Sequence, residues 1–199
     1  MAWTGVKNFV IAPVGTYTEG TSITYGTGMK VGHAVRVQVD WNTSDAKLFG
    51  DNALVESDKG TTSGTITVGT TTIEKNGRMM MLGYLEGGTS SDRSYIKTDA
   101  NPPVIGCGYV VKNSNDGNPI YESHWHYRTQ FGMNQGVDTR KESTEYQTPE
   151  MSGDILAAIL DATSGNQFEE IKEFDTEAAA VSYINTKAGV TAASSGTGT

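Results

Sequence analysis

Cysteine is nearly absent. Cys107 stands alone among 199 residues, which excludes an intrachain disulfide and suits folding in a reducing compartment. Histidine is scarce too, with His33, His124 and His126 making up the full set of three. Positive charge is in the minority: 15 Lys and Arg against 23 Asp and Glu leave a net charge of −8. A protein that grips nucleic acid through its phosphates needs a basic face, and this balance argues against one. No apolar run approaches the roughly 20 residues that a membrane-crossing helix requires. Met1 to Asn8 lacks the charged-then-apolar pattern of a secretory leader, so the expectation is an unprocessed chain made in the cytoplasm. Without such a leader, the sequon Asn42-Thr43-Ser44 reads as chance.

What the chain has in quantity is glycine, 24 residues, with Thr set beside Val, Ile and Tyr. Only 36% of residues are hydrophobic. That mixture predicts a mainly β domain of short strands and turns rather than a helical bundle. Val35, Val37, Val39 and Trp41 alternate with Arg36, Gln38 and Asp40, the clearest strand in the sequence. Its apolar face, Trp41 included, is expected in a core and its polar face in water or at an interface. Further strands are expected around Ala53–Glu56, Gly64–Gly69, Ser94–Lys97, Val104–Lys112, Ile120–Phe131 and Glu142–Thr148. The turn-rich Asn115 to Pro119 joins two of them as a hairpin. Asp154–Leu160 fits a strand or a short helix equally well.

Two segments carry the helical period instead. Thr71 and Glu74 have capping-box spacing, Ile73, Gly77, Met80, Met81 and Tyr84 form a stripe, and Gly83 supplies a stop. The methionines read as core filler. Near the C-terminus, Asp175 or Thr176 caps a helix. Phe174 can staple onto Ala179, Ala178, Val181 and Ile184 form its stripe, and Gly189 ends it. Residues 191–199 are small and polar and read as a flexible tail.

Chemistry-bearing motifs are few. On an extended segment, Tyr121, Ser123, Trp125 and Tyr127 face one way, and Glu122, His124, His126 and Arg128 the other. Two imidazoles on one face could hold a divalent ion, and the spacing is near the cupin pattern. However, six residues rather than five separate Gly117 from His124, and Gln130 stands where a carboxylate belongs. A polar strand face beside an aromatic core face explains the stretch without metal. Cys107, on the Ile105–Val111 face, reads as a small buried hydrophobe. Gly26 to Gly32 lacks a phosphate-loop pattern, and there is no Gly-x-Ser-x-Gly elbow. No catalytic, cofactor or metal residue is assigned.

Three stretches, Thr24–Thr70, Glu142–Leu156 and Phe174–Val190, together resemble the major tail proteins of long-tailed, non-contractile phages of the phi13 type. The resemblance implies a β-sandwich or barrel with a flanking helix, a C-terminal helix and extended arms for assembly. It implies one tube domain over residues 1–190, with residues 1–24 as an N-terminal arm and 42–64 as an assembly loop. Subunits of this kind form hexameric rings that stack into a tail tube in the virion. The tube encloses a tape-measure protein and meets terminator and tip proteins at its ends. DNA passes through the lumen without specific binding. Leu48, Phe49, Leu54 and Val55, apolar residues in a polar segment, are then the expected interface. Asp40, Glu56 and Asp58 are the expected lumen-facing acids. The competing readings are a cupin-like metal-dependent enzyme using His124 and His126, and another phage structural protein such as a head-decoration or tail-tip component.

Overall fold

The computed structural model describes residues 2–50, 53–58, 60–89, 92–115, 118–133 and 149–190, with only the strand pairing given for 46–58. The strand expected at Glu142–Thr148 and the tail at 191–199 lie outside the described residues. In chain order the elements are β1 (Ala2–Thr18), β2 (Ser22–Tyr25), β3 (Met29–Lys30), β4 (Ala34–Thr43), β5 (Ala46–Gly50), β6 (Ala53–Asp58), β7 (Thr61–Thr70), α1 (Lys75–Leu82), β8 (Leu85–Thr89), β9 (Asp92–Ile96), β10 (Val104–Asn115), β11 (Asn118–Met133), β12 (Glu150–Leu156), β13 (Glu169–Phe174) and α2 (Glu177–Lys187). The protein is mainly β. Among the described residues, nine strands form one antiparallel sheet along the path β2-β1-β10-β11-β12-β7-β4, with β3 on β1 and β13 on β11. The pairs β5-β6 and β8-β9 are separate two-stranded sheets.

The hairpin of β10 and β11 is the spine. Its register runs from Val104↔Gln130 to Asn115↔Asn118, as the turn residues require, with Asp116 and Gly117 outside the described residues. Along it, between Ile105↔Thr129 and Cys107↔His126, one residue of β10, Gly106, stands against two of β11, Tyr127 and Arg128. This bulge reverses which residues of β11 point inward. Before it, Glu122, His124 and His126 share a face with Val111, Tyr109 and Cys107; after it, Thr129 and Phe131 take over. At the same place β11 changes its edge partner, pairing β13 along Tyr121–His126 and β12 along Arg128–Met133.

The sheet curls around one core. Phe9 and Ile11 of β1, Ile66 and Val68 of β7, Ile105 of β10, Phe131 of β11 and Met151 and Ile155 of β12 are fully buried in it. Met81 and Leu82 of α1 plug this core. The stretch expected as an N-terminal arm therefore holds a central strand: Phe9, Val10, Ile11 and Ala12 are all fully buried, because an apolar run can be covered on both faces. Helix α1 starts later than the capping box implied. Glu74 is its N-cap without a side-chain bond, while the Thr71 hydroxyl accepts from the His33 backbone N–H instead. Gly83 ends it at φ 67°, as expected.

A second core lies on the outer face. Helix α2 covers Val10, Val110, Trp125 and Tyr127 with Ala180, Ile184 and Ala188. Ala178, expected in that stripe, is exposed and Ala180 takes its place, while Val181 and Ile184 pack there as expected. Thr176 caps the helix through its side chain and Gly189 follows its end at φ 63°, both as expected. Phe174 packs on the Tyr183 ring, with centroids 5.4 Å apart. Gly108 makes this layer possible: a Cβ there would sit 2.6 Å from Trp125 Cε3 and 2.7 Å from the His124 carbonyl oxygen. Asp154–Leu156, which fitted strand or helix, belongs to strand β12.

Candidate functional site: an open seam and its buried histidines

In the described pairings β4 bonds only β7, and β13 bonds only β11. Each keeps one free edge, and the curl of the sheet brings the two edges to either side of a groove of about 580 Å³. Val35, Val37, Val39 and Trp41 of β4 form one wall. Ile171 and Glu169 of β13, with Val6 of β1, stand opposite, and Tyr109, Val111 and His124 make the floor. The alternation read from the sequence holds in direction, since all four apolar residues of β4 face this groove. Burial is the difference. Trp41 is 37% exposed and Val35 53%, because no strand among the described residues covers the groove. The Trp41 ring lies over Gly64 and meets Phe168, with centroids 5.9 Å apart, so it lines a rim instead of filling a core.

The polar face of β11, expected as an ordinary polar strand face, is buried beneath this groove. His124 stacks on Tyr109 with centroids 4.9 Å apart and planes 3° from parallel. Its Nδ1 lies 2.6 Å from Glu169 Oε1 and its Nε2 lies 3.3 Å from Glu122 Oε2. Asn113 donates to Glu122 Oε1 at 2.8 Å. His126 is fully buried, 3.7 Å from Glu169 Oε1, and neither ring nitrogen has a hydrogen-bond partner. Burial drives its pKa down to about 4, with Glu169 opposing and His124 assisting, so it is a neutral imidazole near pH 7. Burial by itself would raise the Glu169 carboxyl. The hydrogen bond to His124 and the two nearby imidazoles outweigh it and hold the carboxyl below its usual range. The result is an ionised carboxylate clamped to an imidazole, tying β13 to β11 in a nearly dry wall. Among the described residues no three His, Cys, Asp or Glu side chains are placed to share a metal ion. Cys107 is buried, and burial pushes its thiol up to about 12, as befits a packed residue.

A second polar cluster locks α2 onto β13. The Glu170 carboxylate accepts from the Tyr127 hydroxyl at 3.0 Å, and from Tyr183 and Lys187. Lys187 also lies over the Tyr127 ring at 5.1 Å. Burial lowers the pKa of this lysine, with the Glu170 carboxylate opposing.

Asp40 sits on the outward face of β4, exposed, and accepts from Gln38 Nε2 at 2.9 Å. Residues 42–64, the assembly loop implied by the resemblance, carry the separate hairpin β5-β6, with β6 at the strand expected around Ala53–Glu56 and with Leu48↔Glu56 and Phe49↔Leu54 in register. The side chains of Leu48, Phe49, Leu54, Val55, Glu56 and Asp58 lie outside the described residues. Glu169 and Glu170 went unnoticed in the sequence because β13 is short and rich in charge, and Lys187 because a lysine in the last turn of a helix needs no other partner than the helix end. The one available signal was the period-two spacing of Glu169 and Ile171. In comparison with known proteins, no family model and no curated protein matches the chain significantly.

Proposed function

We propose that the chain is a structural virion protein. Copies form hexameric rings, and the rings stack into the tail tube through which phage DNA is ejected. The observation that carries this reading is the uncovered seam between β4 and β13. Sheets leave such edges bare when something else covers them, and this one is lined with exposed apolar residues. A monomer in water gains nothing from that arrangement, whereas a subunit that meets its neighbours does. The hairpins β5-β6 and β8-β9, each paired among the described residues only with itself, suit bridging between copies. In this reading Leu48, Phe49, Leu54 and Val55 make subunit contacts, and Asp40, Glu56 and Asp58 face the lumen. The net charge of −8 keeps DNA from sticking there. A tape-measure protein fills the tube before ejection, and terminator and tip proteins close its ends. No catalysis and no cofactor enter. Electron microscopy of the concentrated protein tests it. Long hollow rods or six-fold rings are expected, and dispersed single particles at every concentration would refute it.

A further inference from the structure

Among the described residues six large apolar side chains are exposed: Val35, Trp41, Leu85, Tyr95, Ile96 and Ile171. They fall into two sets. Val35, Trp41 and Ile171 line the concave seam. Leu85, Ile96 and Tyr95 belong to the β8-β9 hairpin, which pairs with no other described strand. Leu85 and Ile96 are direct cross-strand partners, so they share one face of the ribbon. The next pair on that face is Gly87 with Ser94, and then Thr89 with Asp92 at the tip. The face is thus bulky at its base, nearly flat in the middle and acidic at its end. Tyr95 points the other way, under the Lys75 ammonium.

We infer that the β8-β9 hairpin of one copy lies face down in the β4-β13 groove of the next copy. This contact deepens the subunit reading and rests on it. Charge sets the direction. Arg36 borders the groove from the outward face of β4, where it bonds Gln38, and among the described residues it makes no direct contact with a carboxylate. Asp92 is exposed and, among the described residues, meets no cation. Placing Asp92 against Arg36 sets Leu85 and Ile96 over Trp41. The lengths agree: the four steps of strand from Leu85 to Thr89 span roughly 13 Å, and the five from Trp41 to Arg36 roughly 16 Å, at about 3.3 Å each. At the Gly87-Ser94 middle the Ile96 side chain leans toward Gly87, where it can meet the exposed Ile171 side chain. Groove and hairpin are different surfaces of one chain, so the contact is heterologous and propagates from copy to copy until a ring closes.

Cross-linking tests it with the full chain, whose own Cys107 is buried. Val35→Cys and Thr89→Cys chains are mixed under mild oxidation. Disulfide-linked dimers are expected in the mixture and in neither variant alone. Leu85→Ser with Ile96→Ser should raise the concentration needed for assembly at least tenfold and leave the melting temperature of the monomer unchanged. Arg36→Asp and Asp92→Arg should each assemble poorly and recover when mixed, because alternating copies then present opposite charges at every contact. If the unaltered chain assembles while these variants match it or no mixed dimer forms, the hairpin contact is wrong and the subunit reading stands. If the unaltered chain stays monomeric at every concentration, both fail.

Discussion

His126→Leu should make the protein more stable and less sensitive to acid. His126 is fully buried with neither ring nitrogen hydrogen-bonded, and its neighbours Cys107, Tyr109 and Trp41 are apolar or aromatic. A buried polar group without a partner costs about 1–3 kcal/mol. A leucine of similar volume removes that cost at the risk of slight misfit, so a net gain of about 1–2 kcal/mol at pH 7 is expected. The pH dependence is the sharper signature. The pKa of His126 falls from 6.5 to about 4 in the folded chain, so between those values the unfolded chain binds the extra proton and the folded chain does not. Stability associated with this residue is full above pH 6.5 and is lost as pH falls toward 4. At about 1.4 kcal/mol per pH unit the loss reaches about 3 kcal/mol. Glu169, held below its usual range, adds a loss of the same sign at lower pH, of which the variant keeps the part due to His124 and loses the part due to His126. Urea denaturation of dilute protein from pH 7 to pH 4 reads the difference directly. The variant should lose about 3 kcal/mol less than the parent over that window. Equal slopes, or a variant destabilised at pH 7, would mean that the imidazole has a partner and the reasoning fails.

Trp41→Ala should cost about 1–2 kcal/mol, less than the roughly 3–5 kcal/mol of a core aromatic, because one face of the ring is already in solvent. Thermal unfolding should show a fall of only a few degrees, and complete loss of folding would place Trp41 in the core after all. Gly108→Val should be the most damaging single change to the α2 layer, since its first side-chain atom already collides with Trp125 and the β11 backbone. Loss of several kcal/mol or failure to fold is expected, and a normal melting curve would refute the close approach. Lys187→Met should cost about 1–3 kcal/mol by leaving the Glu170 carboxylate with only hydroxyl donors, as read by chemical denaturation. An unchanged midpoint would mean that α2 is held by its apolar stripe alone.

The sequence exposed the local rules of this fold more readily than its long-range ones. Alternation from Val35 to Trp41, the hairpin pairing on either side of residues 116–117, the Thr176 cap and the Gly83 stop each depend on a few neighbouring residues, and each appears as read. What failed depends on partners far along the chain. The polar face of His124 and His126 looked solvated because nothing nearby in sequence covers it; Glu169, 45 residues on, closes it. Trp41 looked like core because alternation gives a direction and not a depth. The bulge at β11 exchanges inward and outward residues between His126 and Thr129, which no strict period of two can show. The capping box at Thr71 and Glu74 had the right spacing, yet the Thr71 hydroxyl serves His33 on another loop. Of the candidate site, the β4 wall was legible and the β13 wall was not.

Sedimentation velocity on the purified full chain, over a concentration series reaching several milligrams per millilitre, tests the central claim most directly. A self-assembling subunit should pass from a species of 21.3 kDa to one about six times heavier, and then to larger stacks, as concentration rises. A single species of 21.3 kDa across the whole series would contradict it.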